Sequence, residues 1–240
     1  MDFKDYIKGV SFRFLGPNRY FRGINSLNKR LNKFNISLEA MNTKLPEGRK
    51  VMKENLRELL KIPRMSTFAI GAMINKCVAS MSNNCCFVNV GVWHGFTFLA
   101  GMANNPNKRC IGVDNFSEFG GPREQFIKRF IALKSSRHHF YDVDYREYFL
   151  NIHTGKIGFY VYDGDHSYEN QLEGLRIAEP FFSEDCVILV DDINWVEPRQ
   201  ATIDFIAKSS YRYQILLDKT TLFNFHPTLW NGIMILQRIK

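Results

Sequence analysis

The sequence predicts an α/β fold: a doubly wound, mostly parallel sheet with an antiparallel C-terminal strand, preceded by a basic, helical N-terminal extension. Three observations carry this expectation. From Cys85 onward, short apolar runs of strand length alternate regularly with stretches of helix length, the pattern of a parallel sheet covered on both faces. The strand-like runs are rich in Val, Ile, Phe and Tyr, as buried strands are. The charge is also divided. Residues 1–64 hold 15 Lys+Arg against 6 Asp+Glu, whereas residues 65–240 hold 17 against 18.

The extension, residues 1–63, is rich in Asn, Lys and Arg. Weak periodicity between Leu27 and Met41 suggests a helix, punctuated by Pro46 and Gly48. Met52, Leu56, Leu59 and Leu60 then recur at helical spacing until Pro63 stops them. The main domain, residues 64–240, opens with a rather apolar helix from Ser66 to Met81, capped by Ser66 or Thr67. Strands follow at 86–90, 110–113, 138–141, 158–162 and 186–190, separated by helices near 96–104, 121–135, 145–151 and 169–182. A helix near 197–208 leads to strands at 213–217 and 232–239, the last after a long connection containing Pro227.

Composition excludes several classes. With 240 residues, 45% hydrophobic and 23% charged, the chain is no disordered tail, collagen-like repeat or disulfide-stapled scaffold. Five cysteines, two of them adjacent (Cys85 and Cys86), form no CxxC pair. They fit free thiols in a reducing cytosol. The start, MDFKDYIKGV, has acids and no apolar h-region, and no run reaches membrane-span length. The expectation is a soluble, cytoplasmic protein without a membrane span. The net charge of +8 lies entirely in the extension, which reads as a cap or a homo-oligomer contact. Nucleic acid is the alternative partner, although no aromatic-interleaved basic strip accompanies it.

In doubly wound sheets, ligands bind outside the carboxyl ends of the strands. After the first strand comes VNVGVWHGFT, where Gly91 and Gly95 flank a turn into a helix. Glycines there allow close backbone approach to a ligand and leave a helix N-terminus open to it. The second strand ends in GVDNF, with Asp114 placed 23 residues beyond Gly91, a position from which an acid can accept from ribose hydroxyls. The third ends in YDVDYREYF, where Asp144 is suited to an adenine amino group or to capping the next helix, with Tyr145 as a packing face. The fourth ends in DGDHSYE, crowding Asp163, Asp165 and His166 together, with Ser167 or Asp165 a further capping candidate. The fifth ends in VDDINW. The adjacent carboxylates Asp191 and Asp192 repel unless a cation intervenes, and an all-oxygen set with Asp163 suits Mg²⁺ or Ca²⁺. Asp192 as a turn cap is the structural alternative. Phe116, Phe119, Trp195 and Trp230 are candidate pocket walls.

Taken in order, these strand ends resemble class I S-adenosylmethionine-dependent methyltransferases with a Rossmann-like fold. They are most similar to small-molecule O-methyltransferases of the macrolide-sugar and catechol type. The likeness covers about residues 64–240 and includes VGVWHGFT, GVDNF, DGDHSYE, VDDINW and the late WNGI. The resemblance implies S-adenosylmethionine as cofactor, wrapped at its methionine end by Gly91, Trp93, His94 and Gly95. It implies the ribose on Asp114 beside Asn115, and adenine bordered by Asp144 and Tyr145. Asp163 would adjoin the cofactor and, with Asp191 and Asp192, match a divalent-cation set, Mg²⁺ by preference. Asp165 or His166 would match the general base, and a sugar, polyol or catechol-like hydroxyl the acceptor. One departure is Asn89, at a further cofactor-binding position where many relatives carry Glu. The competing readings are a metal-dependent nucleotide-sugar glycosyltransferase using Asp163-x-Asp165, and a non-catalytic cofactor- or RNA-binding module.

Overall fold

A computed structural model describes residues 1–19, 30–31, 34 and 36–240. Its centre is a seven-stranded sheet: β3 (Cys85–Val90), β4 (Arg109–Val113), β5 (His138–Tyr141), β6 (Lys156–Tyr162), β7 (Phe182–Asp191), β8 (Arg212–Lys219) and β9 (Ile233–Ile239). Their spatial order is β5-β4-β3-β6-β7-β9-β8. The pairs from β5 through β7 are all parallel, while β9 runs antiparallel to both β7 and β8. The sequence therefore located every strand of this sheet and its single reversed member. Chain order reverses at β3, with β4 on one side and β6 on the other, which makes the carboxyl end of β3 the switch point.

Successive residues of each strand feed opposite cores, as strand pleating requires. Phe87, Phe159, Val161, Leu189 and Ile235 face one core, built with α4 (Phe68–Ser80), α5 (Phe96–Met102) and α6 (Arg123–Leu133). Val88, Tyr160, Tyr162, Ile188 and Leu236 face the other, built with α7 (Tyr145–Glu147), α8 (Tyr168–Ala178) and α9 (Val196–Lys208). Helix α4 starts where Thr67 Oγ1 accepts from the Ile70 amide. Ten of its 13 residues are buried, because its outer face is covered as well.

That cover comes from the described part of the extension: α1 (Phe3–Gly9), the strand pair β1 (Ser11–Phe12) and β2 (Thr43–Lys44), α2 (Leu38–Asn42) and α3 (Lys50–Leu56). Phe3, Tyr6, Ile7, Leu45, Leu56, Leu59 and Leu60 are buried in the same core as α4. Of the helix expected between Leu27 and Met41, the part up to residue 35 falls mostly outside the described residues, and the described end is α2. All five cysteines are buried free thiols. No helix among the described residues is long and apolar enough to cross a membrane.

Candidate active site

A cavity of about 380 Å³ opens over the carboxyl ends of β3, β4, β6 and β7. Its floor is the turn after β3. Gly91 has φ +77°, and a Cβ there would lie 1.9 Å from the Asp163 carbonyl oxygen, so only glycine lets β3 and β6 close beneath the cavity. Asp114 holds the turn from the side. One carboxylate oxygen accepts from the Val92 and Trp93 amides at 2.7 and 2.8 Å, and the other from the Phe116 amide at 2.7 Å. Three of its roughly four lone-pair positions are thereby used. The carboxylate mainly preorganises the backbone and keeps about one position for a ligand hydroxyl. Gly95 then enters α5 at φ +100°.

Toward β5 the wall is Val143, Asp144 and Tyr145. Asp144 caps α7 by accepting from the Arg146 amide at 2.8 Å. The Tyr145 ring stands edge-on to Tyr162, and its phenol is pushed up by burial despite the Arg146 charge. Aromatic side chains make up much of the remaining wall: Trp93, Phe116, Phe119, Trp195, Phe225 and Trp230.

Beneath Trp195 lies the charged cluster. His166 Nε2 stands 3.3 Å from Asp192 Oδ2 and 3.7 Å from Asp163 Oδ1, with Trp195 edge-on to its ring at 5.7 Å. Asn231 donates to the other Asp192 oxygen at 2.7 Å. Burial opposes a charge on His166, but the Asp163 and Asp192 carboxylates outweigh it and raise its pKa. Burial pushes Asp192 up to about 6 and also raises Asp163. Asp191, 2% exposed, lies well above the carboxylate range through burial and then repulsion from Asp192 and Asp163.

Residues 88–193 match the family model described as a methyltransferase domain. The matched stretch runs from β3 to just past the end of β7. No curated protein matches the sequence. Among solved structures, a protein of Klebsiella pneumoniae assigned as an O-methyltransferase aligns at TM-score 0.58 and 12% identity, covering 90% of this chain and 97% of that one. A protein of Staphylococcus aureus assigned as a caffeoyl-CoA O-methyltransferase aligns at TM-score 0.56 and 10% identity, over 88% and 99%. The cofactor-bound structure of Rv0187 from MTB aligns at 0.55 and 12%, over 78% and 87%. At such identities the likeness establishes the fold alone.

S-adenosylmethionine fits the residues present. The cradle a Cβ would fill at Gly91, the remaining acceptor position on Asp114 and the wall at Asp144 and Tyr145 form one continuous cavity. Of the residues expected to bind it, Gly91, Trp93, Asp114, Asn115, Asp144, Tyr145 and Asp163 line that cavity, and Asn89, His94 and Gly95 do not. Asn89 is fully buried, its amide donating to the Val90 and Gly91 carbonyls, so it braces the turn from beneath. His94 turns toward Arg129, whose Nη1 lies 3.2 Å from its Nδ1. Gly95 is required by packing, since a Cβ would meet the Phe126 ring at 2.8 Å and Leu99 at 2.9 Å.

Of the two candidate bases, Asp165 is occupied with local structure. It accepts from the Ser167 amide at 2.7 Å and from Asn170 at 2.9 Å, while Ser167 caps α8. His166 faces the two carboxylates. The expected cation set differs most from the structure: among the described residues no group of three His, Cys, Asp or Glu is disposed to hold a metal ion. The imidazole of His166 stands between Asp163 and Asp192, and an Asp191 oxygen accepts the Asp192 amide at 2.9 Å. As arranged, the three carboxylates do not fit a cation. Sequence reasoning quoted WNGI without giving Asn231 a role, read Ser66 only as a helix cap, and missed Phe225 and Arg64 on the cavity wall. A buried Asn following a buried carboxylate pair has no periodic signature, and Arg64 looked like one more charge of the basic segment.

Proposed function

We propose that this domain transfers a methyl group from S-adenosylmethionine to a hydroxyl of a small molecule, and that the Asp163–His166–Asp192 cluster takes the hydroxyl proton. The observation that carries the reading is the shared cavity. The glycine turn and Asp114 are continuous with a buried acid–base cluster, joined through Asp163, whose carbonyl abuts Gly91 and whose side chain faces His166. The cofactor supplies an electrophilic sulfonium methyl group.

The chain's own part is positioning, desolvation and proton removal. Placing an acceptor oxygen in line with a methyl group removes much of the entropic barrier. The aromatic walls at Trp195, Phe225 and Trp230 offer flat faces to a sugar, polyol or catechol-like ring and exclude water. A hydroxyl is a poor nucleophile at neutral pH, so a base poised nearby matters. Asp192, raised to about 6, has the affinity for such a proton, while His166 and Asn231 hold its carboxylate in place. The proton path uses these side chains alone, and the expected divalent cation has no place in it. The glycosyltransferase alternative loses its second carboxylate, because Asp165 is engaged in the turn before α8.

The test is Asp192→Asn, with turnover measured on a panel of hydroxylated acceptors and binding measured with S-adenosylhomocysteine. Turnover should fall by about 100-fold or more, with the dissociation constant within about threefold of the parent. Full turnover in the variant, or no binding of S-adenosylhomocysteine by the parent, refutes the reading.

A further inference from the structure

The acid–base cluster has a buried side as well as a cavity side. His166 turns Nε2 toward Asp192 and Asp163 at 3.3 and 3.7 Å, while its Nδ1 is buried without a hydrogen-bond partner among the described residues. Two further buried atoms lack a partner in the same way, and both belong to one side chain: Oε1 and Nε2 of Gln171. Gln171 is 0% exposed and is not part of the cavity wall. Buried polar atoms are nearly always hydrogen-bonded in native proteins, so a fully buried amide with both ends unpaired calls for an account.

The start of α8 brings the two side chains together. Ser167 caps the helix by accepting from the Asn170 amide, and its carbonyl accepts from the Gln171 amide at 3.0 Å. His166 therefore stands immediately before the cap and Gln171 at the fourth helical position. These are the two places whose side chains pack against each other across a helix start. Apolar residues commonly fill such a pair, whereas here both are polar. The Gln171 amide bears on His166 as a hydrogen-bonding neighbour, in an approach that falls outside strict hydrogen-bond geometry.

What a partner at Nδ1 decides is direction. An imidazole keeps nearly the same outline after a half-turn about its Cβ–Cγ bond, which exchanges each ring nitrogen with a carbon. Only one of the two orientations aims Nε2 at the carboxylates. We propose that Gln171 is a positioning residue, whose amide hydrogen-bonds Nδ1 of His166 and so holds the ring with Nε2 toward Asp163 and Asp192. The inference rests on the reading of this cluster as the one that takes the acceptor's proton. An amide suits the position because it accepts from Nδ1–H when the ring is charged and donates to Nδ1 when the ring is neutral. A carboxylate offers only the first, and an apolar side chain neither.

Long-range proton–nitrogen NMR spectra of the full chain test the contact itself, with the His166 signals assigned by their loss in His166→Gln. The parent Nδ1 should resonate as a hydrogen-bonded nitrogen. Gln171→Met, which keeps the length of the side chain and removes the amide, should move that signal. Turnover tests the consequence. In Gln171→Met, kcat should fall about tenfold or more, while KM for the acceptor and Kd for S-adenosylhomocysteine stay within about threefold. Gln171→Glu, which keeps an acceptor for Nδ1–H, should turn over at least about threefold faster than Gln171→Met. A residue that only packs behaves otherwise: exchanging an unpaired buried amide for an apolar side chain leaves stability unchanged or raised and kcat at the parent value. Parental kcat in Gln171→Met, an Nδ1 signal that does not move, or equal losses of kcat and of S-adenosylhomocysteine affinity overturn the proposal. If Gln171→Met does not fold, the parent spectrum decides, and an Nδ1 without a hydrogen bond overturns the proposal. Failure of the parent to bind S-adenosylhomocysteine overturns the methyltransferase reading instead, and the spectra then decide the Gln171 contact by themselves.

Discussion

Replacing Gly91 with alanine tests how the sheet builds the cavity floor. At φ +77° the new Cβ would lie 1.9 Å from the Asp163 carbonyl oxygen, 2.5 Å from its carbon and 3.0 Å from the Gly164 nitrogen. All three are backbone atoms, so no rotamer change relieves the contact. The neighbouring strands are pinned too. The Gly91 amide donates to the Val113 carbonyl and the Asp163 amide to the Val90 carbonyl, both at 2.9 Å. Left-handed backbone at a non-glycine residue costs about 1–2 kcal/mol, and forcing extra volume into a packed site about 1–3 kcal/mol. Gly91→Ala should therefore lose about 2–5 kcal/mol. Gly120 supplies the control: its φ is +78°, with nothing within 4 Å of an added Cβ. Gly120→Ala should lose only the backbone share, about 1–2 kcal/mol. Urea denaturation measures both. S-adenosylhomocysteine binding should fall at least about tenfold in Gly91→Ala, because the displaced Asp163 carbonyl is the cavity floor, and stay near parent in Gly120→Ala. Equal destabilisation of the two variants with equal ligand affinity would refute the reasoning.

Two further outcomes follow from the buried titratable groups. His153 is 7% exposed, with Nδ1 2.8 Å from the Tyr148 hydroxyl, and burial lowers its pKa to about 4. The unfolded chain then takes up a proton below about pH 6.5 before the folded one does, so this contribution is full above about pH 6.5 and is lost as pH falls toward 4. The shift bounds the loss at about 3 kcal/mol, less after solvent screening. His153→Gln should flatten the acid limb of stability measured by urea titration between pH 4 and 7, and an unchanged slope would count against it. With His166 between Asp163 and Asp192, millimolar Mg²⁺ should leave the thermal midpoint unmoved and excess chelator should leave turnover largely intact. Loss of turnover in chelator, restored by Mg²⁺, would show that the imidazole yields its place to a cation.

The strands and the mostly parallel, doubly wound character of the sheet were legible because each β run is short, apolar and bounded by polar turns. A buried parallel strand has little freedom to look otherwise. The placement of Asp114, Asp144, Asp163 and Asp192 on one cavity was legible for the same reason, since each directly follows or closely trails a strand. What failed to transfer was side-chain direction. His94 sits in the expected turn, yet it faces Arg129 because Trp93 takes the cavity side, and its own pKa is lowered by burial and by that neighbour. Asp165 and His166 are adjacent, and only the start of α8 decides that the first is spent on the turn and the second turns inward. Arg64 carries no signal of its place in one dimension: it pairs with Glu39, 25 residues earlier, and lines the cavity.

The backbone itself singles out the cavity in a way no sequence pattern does. Among the described residues, seven non-glycine residues have positive φ, and six of them, Trp93, Phe116, Phe119, Asp192, Phe225 and Trp230, line this one cavity. Five of the six are bulky aromatics, residue types for which a left-handed conformation is a clear outlier. Each costs about 1 kcal/mol or more, and the fold sustains them by cross-links such as the Trp93 Nε1 bond to the Phe119 carbonyl at 3.1 Å and the Asn231 bonds to Asp192 and to the Phe225 amide. A core that needed these rings only for packing could place them from relaxed strands and helices, as it does with Phe87, Phe98 and Phe159. Strain gathered around one cavity, beside the Gly91 turn and the Asp163–His166–Asp192 cluster, is what a pocket requires when it must hold a ligand in one orientation.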